Sequence, residues 1–129
     1  MSTIQERANS IAEELSFLDR DERFEWIIDT GKALAVEDSF TDEDLVKGCQ
    51  SKVWLKVWQE ADQLRLSGTS DALLVKGIVS LLLELYNGST TSDARAFDFI
   101  QWLNDNQISL SMQRMQGLEG MLRRIQSKA

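Results

Sequence analysis

The chain has 129 residues, 43% of them hydrophobic and 27% charged. That balance suits a single soluble globular domain over residues 1–129, able to bury about two-thirds of its unfolded surface. A formal charge of −7 argues against a nucleic-acid partner, and no apolar run reaches the length of a membrane span. One cysteine cannot close an internal disulfide, and with no histidine a zinc site or a nucleophile–base triad lacks its usual parts.

The charge is uneven. Residues 1–44 carry thirteen acids and four bases, whereas residues 45–129 carry eight acids and ten bases. The acidic part reads as a solvated surface that aids solubility rather than as a docking patch. The first residues, Met1 to Glu6, lack the basic and apolar regions of a signal peptide. A reducing compartment, the cytoplasm, is therefore expected.

Ile4, Ala8, Ile11, Ala12, Leu15 and Leu18 follow three-and-four spacing, which predicts an amphipathic helix over about residues 3–18. Asp19 caps a second helix over about 20–35, with Phe24, Ile27, Ile28, Gly31 and Leu34 as its buried stripe. Asp21, Glu22 and Glu25 suit the positive end of that helix dipole. Residues 36–45 are acidic and aperiodic, a surface connection with one helical turn.

Val46-Lys47-Gly48-Cys49-Gln50-Ser51-Lys52-Val53-Trp54-Leu55 follows, with the only cysteine on a Gly48 pivot just before a β-prone run. A thiol on a turn anchored to a rigid strand is well placed for chemistry, and its thiolate is the reactive form. Lys47 and Lys52 would favour that thiolate if either ammonium came near the sulfur. The local chemistry is equally that of a small buried packing residue, because free cysteines are among the most buried types.

From residue 52 to 58, Val53, Leu55 and Val57 point one way and Trp54, Lys56 and Trp58 the other. Glu60-Ala61-Asp62-Gln63 supplies a turn, and residues 64–68 alternate back, so an antiparallel hairpin is predicted. Two strands alone are marginal, and a third short strand is expected near Leu45-Val46. Trp54 and Trp58 are read as packing residues, with Trp54 as a cover for the sulfur the weaker reading.

Ser70 is the expected cap of the most apolar helix, about residues 71–86. It is apolar on nearly every side apart from a narrow stripe of Lys76, Ser80 and Glu84. Such a helix is buried, here as the central helix under the sheet. Gly77 costs about 1 kcal/mol relative to alanine in a helix interior and implies close approach of helix to strand. Asp71, at the helix start, reads first as compensation of the helix dipole. Shorter helices follow, one opened by Thr90 or Thr91 and one around Phe97 to Leu103. A last helix spans about 111–127, with Arg123, Arg124 and Lys128 near its favoured C-terminal end. Arg114 opposes the dipole at its start, so a partner is expected, a salt bridge first and a functional contact second. The fold class is α+β: a small antiparallel sheet against a buried central helix, flanked by N- and C-terminal helices.

Residues 46–55 resemble the signature V-x-G-C-x-S-x-V-W-L of the SufE family of sulfur-acceptor proteins, which Val46, Gly48, Cys49, Ser51, Val53, Trp54 and Leu55 all match. Ser70-Asp71-Ala72-Leu73-Leu74-Val75-Lys76-Gly77 resembles the family's S-D-x-x-I/L-V-K-G, and Arg114-x-x-Gly117-Leu118 its S-R-x-x-G-L. The resemblance implies that Cys49 accepts sulfane sulfur from the persulfide of a PLP-dependent cysteine desulfurase. It further implies that this sulfur passes to an iron–sulfur scaffold complex. Lys47, Gly48, Gln50, Ser51, Asp71 and Arg114 become loop and partner-contact residues, with Asp71 near the cysteine loop. No cofactor or metal of its own is implied, and a homodimer is left open. The resemblance also implies a loop that enters the partner's active site and hides its sulfur between deliveries. The chain departs from the family in having no proline, notably at Thr91 and Met112, and in Gln113 where a serine precedes the arginine. The rival readings are a cysteine hydrolase, which lacks its histidine, and a noncatalytic binding module with a structural cysteine.

Overall fold

The computed structural model describes residues 2–36, 39–48 and 50–129. Thr3 opens helix α1 (Ile4–Leu15) with a capping box: its hydroxyl accepts from the Glu6 amide at 3.1 Å, and the Glu6 carboxylate accepts from the Thr3 amide at 3.4 Å. Asp19 and Glu22 repeat the device, both bonds 2.9 Å, before α2 (Arg20–Lys32). The second box needs Asp19 in extended conformation, so α1 stops at Leu15, short of the expected Leu18. Helix α2 likewise ends at Lys32, before the expected Ala35. A single 3-10 turn, Asp42–Asp44, fulfils the expectation for the acidic connection.

Strands β1 (Val53–Glu60) and β2 (Gln63–Ser70) pair antiparallel, with Val53 opposite Ser70 and Glu60 opposite Gln63. Ala61 and Asp62 form the turn, Ala61 at φ 56°. Val53, Leu55, Val57, Leu64 and Leu66 are all buried on one face, as the alternation predicts. Trp54 is half-buried, but Trp58 is 42% exposed and does not serve as the packing residue expected of it.

The expected third strand does not form. Leu45 makes one antiparallel bridge to Trp54, and the Val46 amide donates to the Val53 carbonyl at 2.9 Å. The 3-10 turn ends at Asp44 and the chain turns away at Gly48 (φ 95°), so the extended run between them is too short for a strand. The outer edge of β2 is covered by other means. Asn87 grips Leu66 with its amide side chain, accepting from the backbone N–H at 2.6 Å and donating to the carbonyl at 3.0 Å. The Gly88 amide donates to Leu64, whose own amide donates to Ser89, both at 2.8 Å.

Helix α3 (Leu73–Tyr86) is the central element, with Ile78, Val79, Leu81, Leu82 and Leu85 all buried. Ser70 does not cap it, since the helix starts after Ala72 with no side-chain cap. The Gly77 expectation is corrected too. Gly77 approaches a helix, not a strand. A Cβ there would strike the Ile27 carbonyl of α2, and one at Gly31 would lie 2.5 Å from the Gly77 nitrogen. The sheet meets α3 at Gly68 instead, where an added Cβ would sit 3.0 Å from Val79.

Helices α4 (Thr91–Ala96), α5 (Phe99–Asp105) and α6 (Met112–Lys128) are opened by Thr90, Asp98 and Ser111, each accepting from the amide three residues on. Thr91 and Met112 are first helical residues, where proline's fixed φ is favourable, and the preceding caps open both helices without it. The Trp102 indole donates to the Ala8 carbonyl at 3.2 Å, tying α5 to α1. No helix among the described residues is long and apolar enough to cross a membrane.

Alanine at Gly77 gains intrinsic helix propensity of about 1 kcal/mol but collides with backbone that cannot rotate aside. Gly77→Ala is therefore expected to destabilise the protein by about 2–3 kcal/mol in urea unfolding, as α2 is forced off α3. Tyr86, the chain's one tyrosine, is fully buried, and its hydroxyl has no hydrogen-bond partner among the described residues. Burial, with a smaller contribution from Asp98, raises its phenol well above the ordinary 10.0. The unfolded chain then releases that proton first as pH rises, so the native state binds more protons and loses stability above the ordinary phenol value. Tyr86→Phe is expected to match or exceed the wild type by up to about 2 kcal/mol near neutral pH and to lack this alkaline component, read by urea titrations at several pH values.

Candidate functional site

The segment between Val46 and Val53 carries the chain's only cysteine. Cys49 itself lies outside the described residues, as do Met1, Glu37 and Asp38. Its neighbours define the setting. Val46 is buried, whereas Lys47, Gly48 and Gln50 are exposed and Ser51 is half-buried. Gly48 sits at φ 95°, and beyond its two chain neighbours no atom of the described residues lies within 4 Å of where a Cβ would stand. Backbone conformation, not crowding, therefore calls for glycine at this turn.

The downstream end of the segment is held at both polar groups of one residue. The Lys52 amide donates to the Asp71 carboxylate at 3.0 Å. The Lys52 carbonyl accepts from the Ser70 hydroxyl at 2.8 Å and from the Asp71 amide at 3.2 Å. Ser70 also accepts from the Ala72 amide at 3.3 Å, so one hydroxyl links the loop's end to the approach of α3. Asp71 is thus a loop anchor, standing just before the Ala72 cap of α3 and outside the helix's first turn, which holds no acid. A hydrogen bond to an ionised carboxylate is roughly twice as strong as a neutral one, which suits an anchor at an exposed position.

The upstream end is held from α6. The Arg124 guanidinium donates through Nη1 to the carbonyls of Asp44 (2.6 Å) and Leu55 (3.0 Å), and through Nη2 to that of Leu45 (3.0 Å). One turn earlier, Gly120 faces the same limb: a Cβ there would lie 3.0 Å from the Lys47 carbonyl oxygen and 3.1 Å from Val46. The sequence assigned Arg124 to the helix dipole and gave Gly120 no role. The signal available was their spacing, since residues 117, 120 and 124 share one helical face.

Between the anchors lies a cavity of about 220 Å³. Gln50 and Ser51 line it from the cysteine segment and Val75 from α3, while Ser111, Gln113, Arg114, Gly117 and Met121 line it from α6 and its cap. Each of the three sequence blocks contributes: the first through Gln50 and Ser51, the second through Val75, the third through Arg114 and Gly117. Asp71 stands at the loop's base instead of in the lining. Leu118, the last residue of the third block, is buried in the core.

The salt bridge expected for Arg114 is not made. Its amide donates to the Ser111 cap at 3.3 Å, but its side chain is exposed and has no ion pair among the described residues. Lys47 and Lys52 are exposed and also without an ion pair there. Three cations therefore stand around the cysteine segment, a setting that favours an approaching or forming anion. The surroundings offer a partly enclosed space, lined by Arg114, beside a turn whose two ends are fixed.

A family model described as an Fe-S metabolism associated domain, SufE, matches residues 9–129. An uncharacterised SufE-like protein of Rhizobium etli is 34% identical over 94% of this chain and 88% of its own length. One of Rhizobium meliloti is 35% identical over 94% of this chain and 93% of its own length. The solution structure of a hypothetical protein from Thermus thermophilus superposes with a TM-score of 0.75 over 95% of this chain and 92% of that one. At 18% identity it shows a shared α+β fold. With a domain match over nearly the whole chain and relatives of this identity, the chain belongs to the SufE family.

Proposed function

We propose that the protein is a sulfur acceptor in which Cys49 takes the outer sulfur of a cysteine desulfurase's persulfide and passes it towards iron–sulfur cluster assembly. The observation that supports this reading best is the convergence of all three sequence blocks on the cavity beside the cysteine segment. The Cys49 thiol first loses its proton to solvent. The thiolate attacks the outer sulfur of the partner's persulfide, a sulfur–sulfur bond forms to Cys49, and the original one breaks. The electron pair leaves on the partner's cysteine as a thiolate, and the transferred sulfur keeps whatever proton it carried. Nothing is oxidised or reduced overall. The carbon–sulfur chemistry belongs to PLP in the desulfurase. The acceptor raises turnover by clearing the persulfide.

Lys47, Lys52 and Arg114 support the exchange in two ways. Their charge favours thiolate and persulfide over their protonated forms. It also draws the segment to a partner surface with acidic groups. Gln50 and Ser51 offer polar groups to the cavity, and Gly48 supplies the turn. A reducing compartment, the cytoplasm, keeps the thiol available.

Mixing the protein with a PLP-dependent cysteine desulfurase and cysteine is expected to add the mass of one sulfur to the wild type and none to Cys49→Ser, while only the wild type speeds sulfide release. No added mass and no stimulation by the wild type would favour a noncatalytic module with a structural cysteine. Reversing charge at Lys47 and Lys52 together is expected to raise the concentration for half-maximal stimulation by about threefold to tenfold, an effect that fades with added salt. An unchanged titration curve would reduce both lysines to ordinary surface charges.

A further inference from the structure

Among the described residues Arg124 has no carboxylate partner and directs its charge entirely at backbone oxygens. Two of those oxygens, on Asp44 and Leu45, belong to the chain entering the cysteine segment, and the third, on Leu55, belongs to the strand leaving it. The planar fork therefore spans both limbs. The Val46 amide satisfies the Val53 carbonyl, and two residues along β1 the Leu55 carbonyl is met by Arg124 where a longer strand would have supplied an amide. Gly120 brings the same face of α6 to within 3.0 Å, measured from an added Cβ, of the Lys47 oxygen. A lysine carries its three donors on one compact ammonium and lacks the planar fork, so it would not reproduce the two-nitrogen grip on these three carbonyls.

We infer that Arg124, seated on α6 by the close approach at Gly120, is a positioning residue that fixes the entry limb of the Cys49 segment relative to β1. It acts through the backbone, at the carbonyls of Asp44 and Leu45 on the entry limb and of Leu55 on β1. It complements the Ser70-Asp71 anchor on the exit limb, so that each limb is fixed by a different helix. The purpose of this arrangement rests on the proposed acceptor role, since a donor persulfide and an acceptor thiolate need near-contact geometry to exchange. The arrangement itself does not.

The test is the rate of carboxamidomethylation of Cys49 by iodoacetamide in the full chain, compared with the same chain unfolded in urea. In the wild type the rate and its pH midpoint should differ from those of the unfolded chain. In Arg124→Lys and Arg124→Ala both should move towards the unfolded values, by about threefold or more in rate. The lysine variant keeps the charge and the aliphatic stem in case alanine fails to fold. Leu118→Ala, which opens the core beneath the same helix, is the control, expected to lower the Tm at least as much while keeping the wild-type rate. A wild-type rate equal to that of the unfolded chain, unchanged rates in both Arg124 variants, or an equal shift in Leu118→Ala would each overturn the inference. Because iodoacetamide needs no desulfurase, failure of the acceptor reading would show in the sulfur-transfer mass and leave this comparison intact.

Discussion

A hairpin of two strands has two bare edges, and closing them is the constraint from which the site follows. Backbone groups left unpaired in a partly buried setting each cost on the order of a hydrogen bond, and two strands alone are marginal. Here β2 is closed by Asn87, Gly88 and Ser89, the chain leaving the central helix. Strand β1 is closed by the Val46 amide, which meets the Val53 carbonyl, and by Arg124, which meets that of Leu55. Edge closure on β1 brings α6 and the chain before β1 together. The cysteine segment lies between the two elements that close that edge.

The rigidity behind the site comes from the opposite side of α3. Helices α2 and α3 meet where Gly31 and Gly77 leave no room for a side chain, so backbone rests on backbone. Such contacts lose dispersion attraction steeply with small displacements. A helix fixed this way on one flank and against Gly68 on the other gives Ser70, Asp71 and Val75 a stable base. The anchoring hydrogen bonds at Lys52 would otherwise be exposed polar contacts of modest net worth, about 1 kcal/mol each.

Much of this was legible in the chain itself. The hairpin and its buried face, the buried central helix and the order of the helices follow from periodicity and from capping residues such as Asp19 and Thr90. Cys49, Asp71 and Arg114 were singled out by spacing and by resemblance. The failures have a common cause, which is that periodicity gives a face but not the neighbour across it. Gly77 announced a close approach without saying that the neighbour was Gly31. Trp58 fell on a face that leaves it exposed. Arg124, beside Arg123 near a helix end, had an adequate local explanation, and its contacts with Asp44, Leu45 and Leu55 are set by the edge of a sheet some seventy to eighty positions earlier. Ser70 misled in the opposite direction, because a serine before a helix suits a cap and here its hydroxyl donates to Lys52 across the hairpin's open end.

The absence of histidine bears on the proposed sulfur exchange in a constructive way. Acyl transfer by a serine or cysteine needs a base to take a proton and an acid to return one to a poor leaving group. Exchange between a thiolate and a persulfide needs neither, since the nucleophile is already a thiolate and the leaving group departs as one. What remains for the protein to supply is position and charge. Position comes from two anchors that bind backbone at Lys52 and at Asp44-Leu45, leaving Lys47 exposed and Gln50 and Ser51 on the cavity. Charge comes from Lys47, Lys52 and Arg114, set within a chain whose acids are concentrated before residue 45. The division is economical for an acceptor: beyond the thiol itself, no imidazole is there to titrate near neutrality and impose its own pH dependence on transfer.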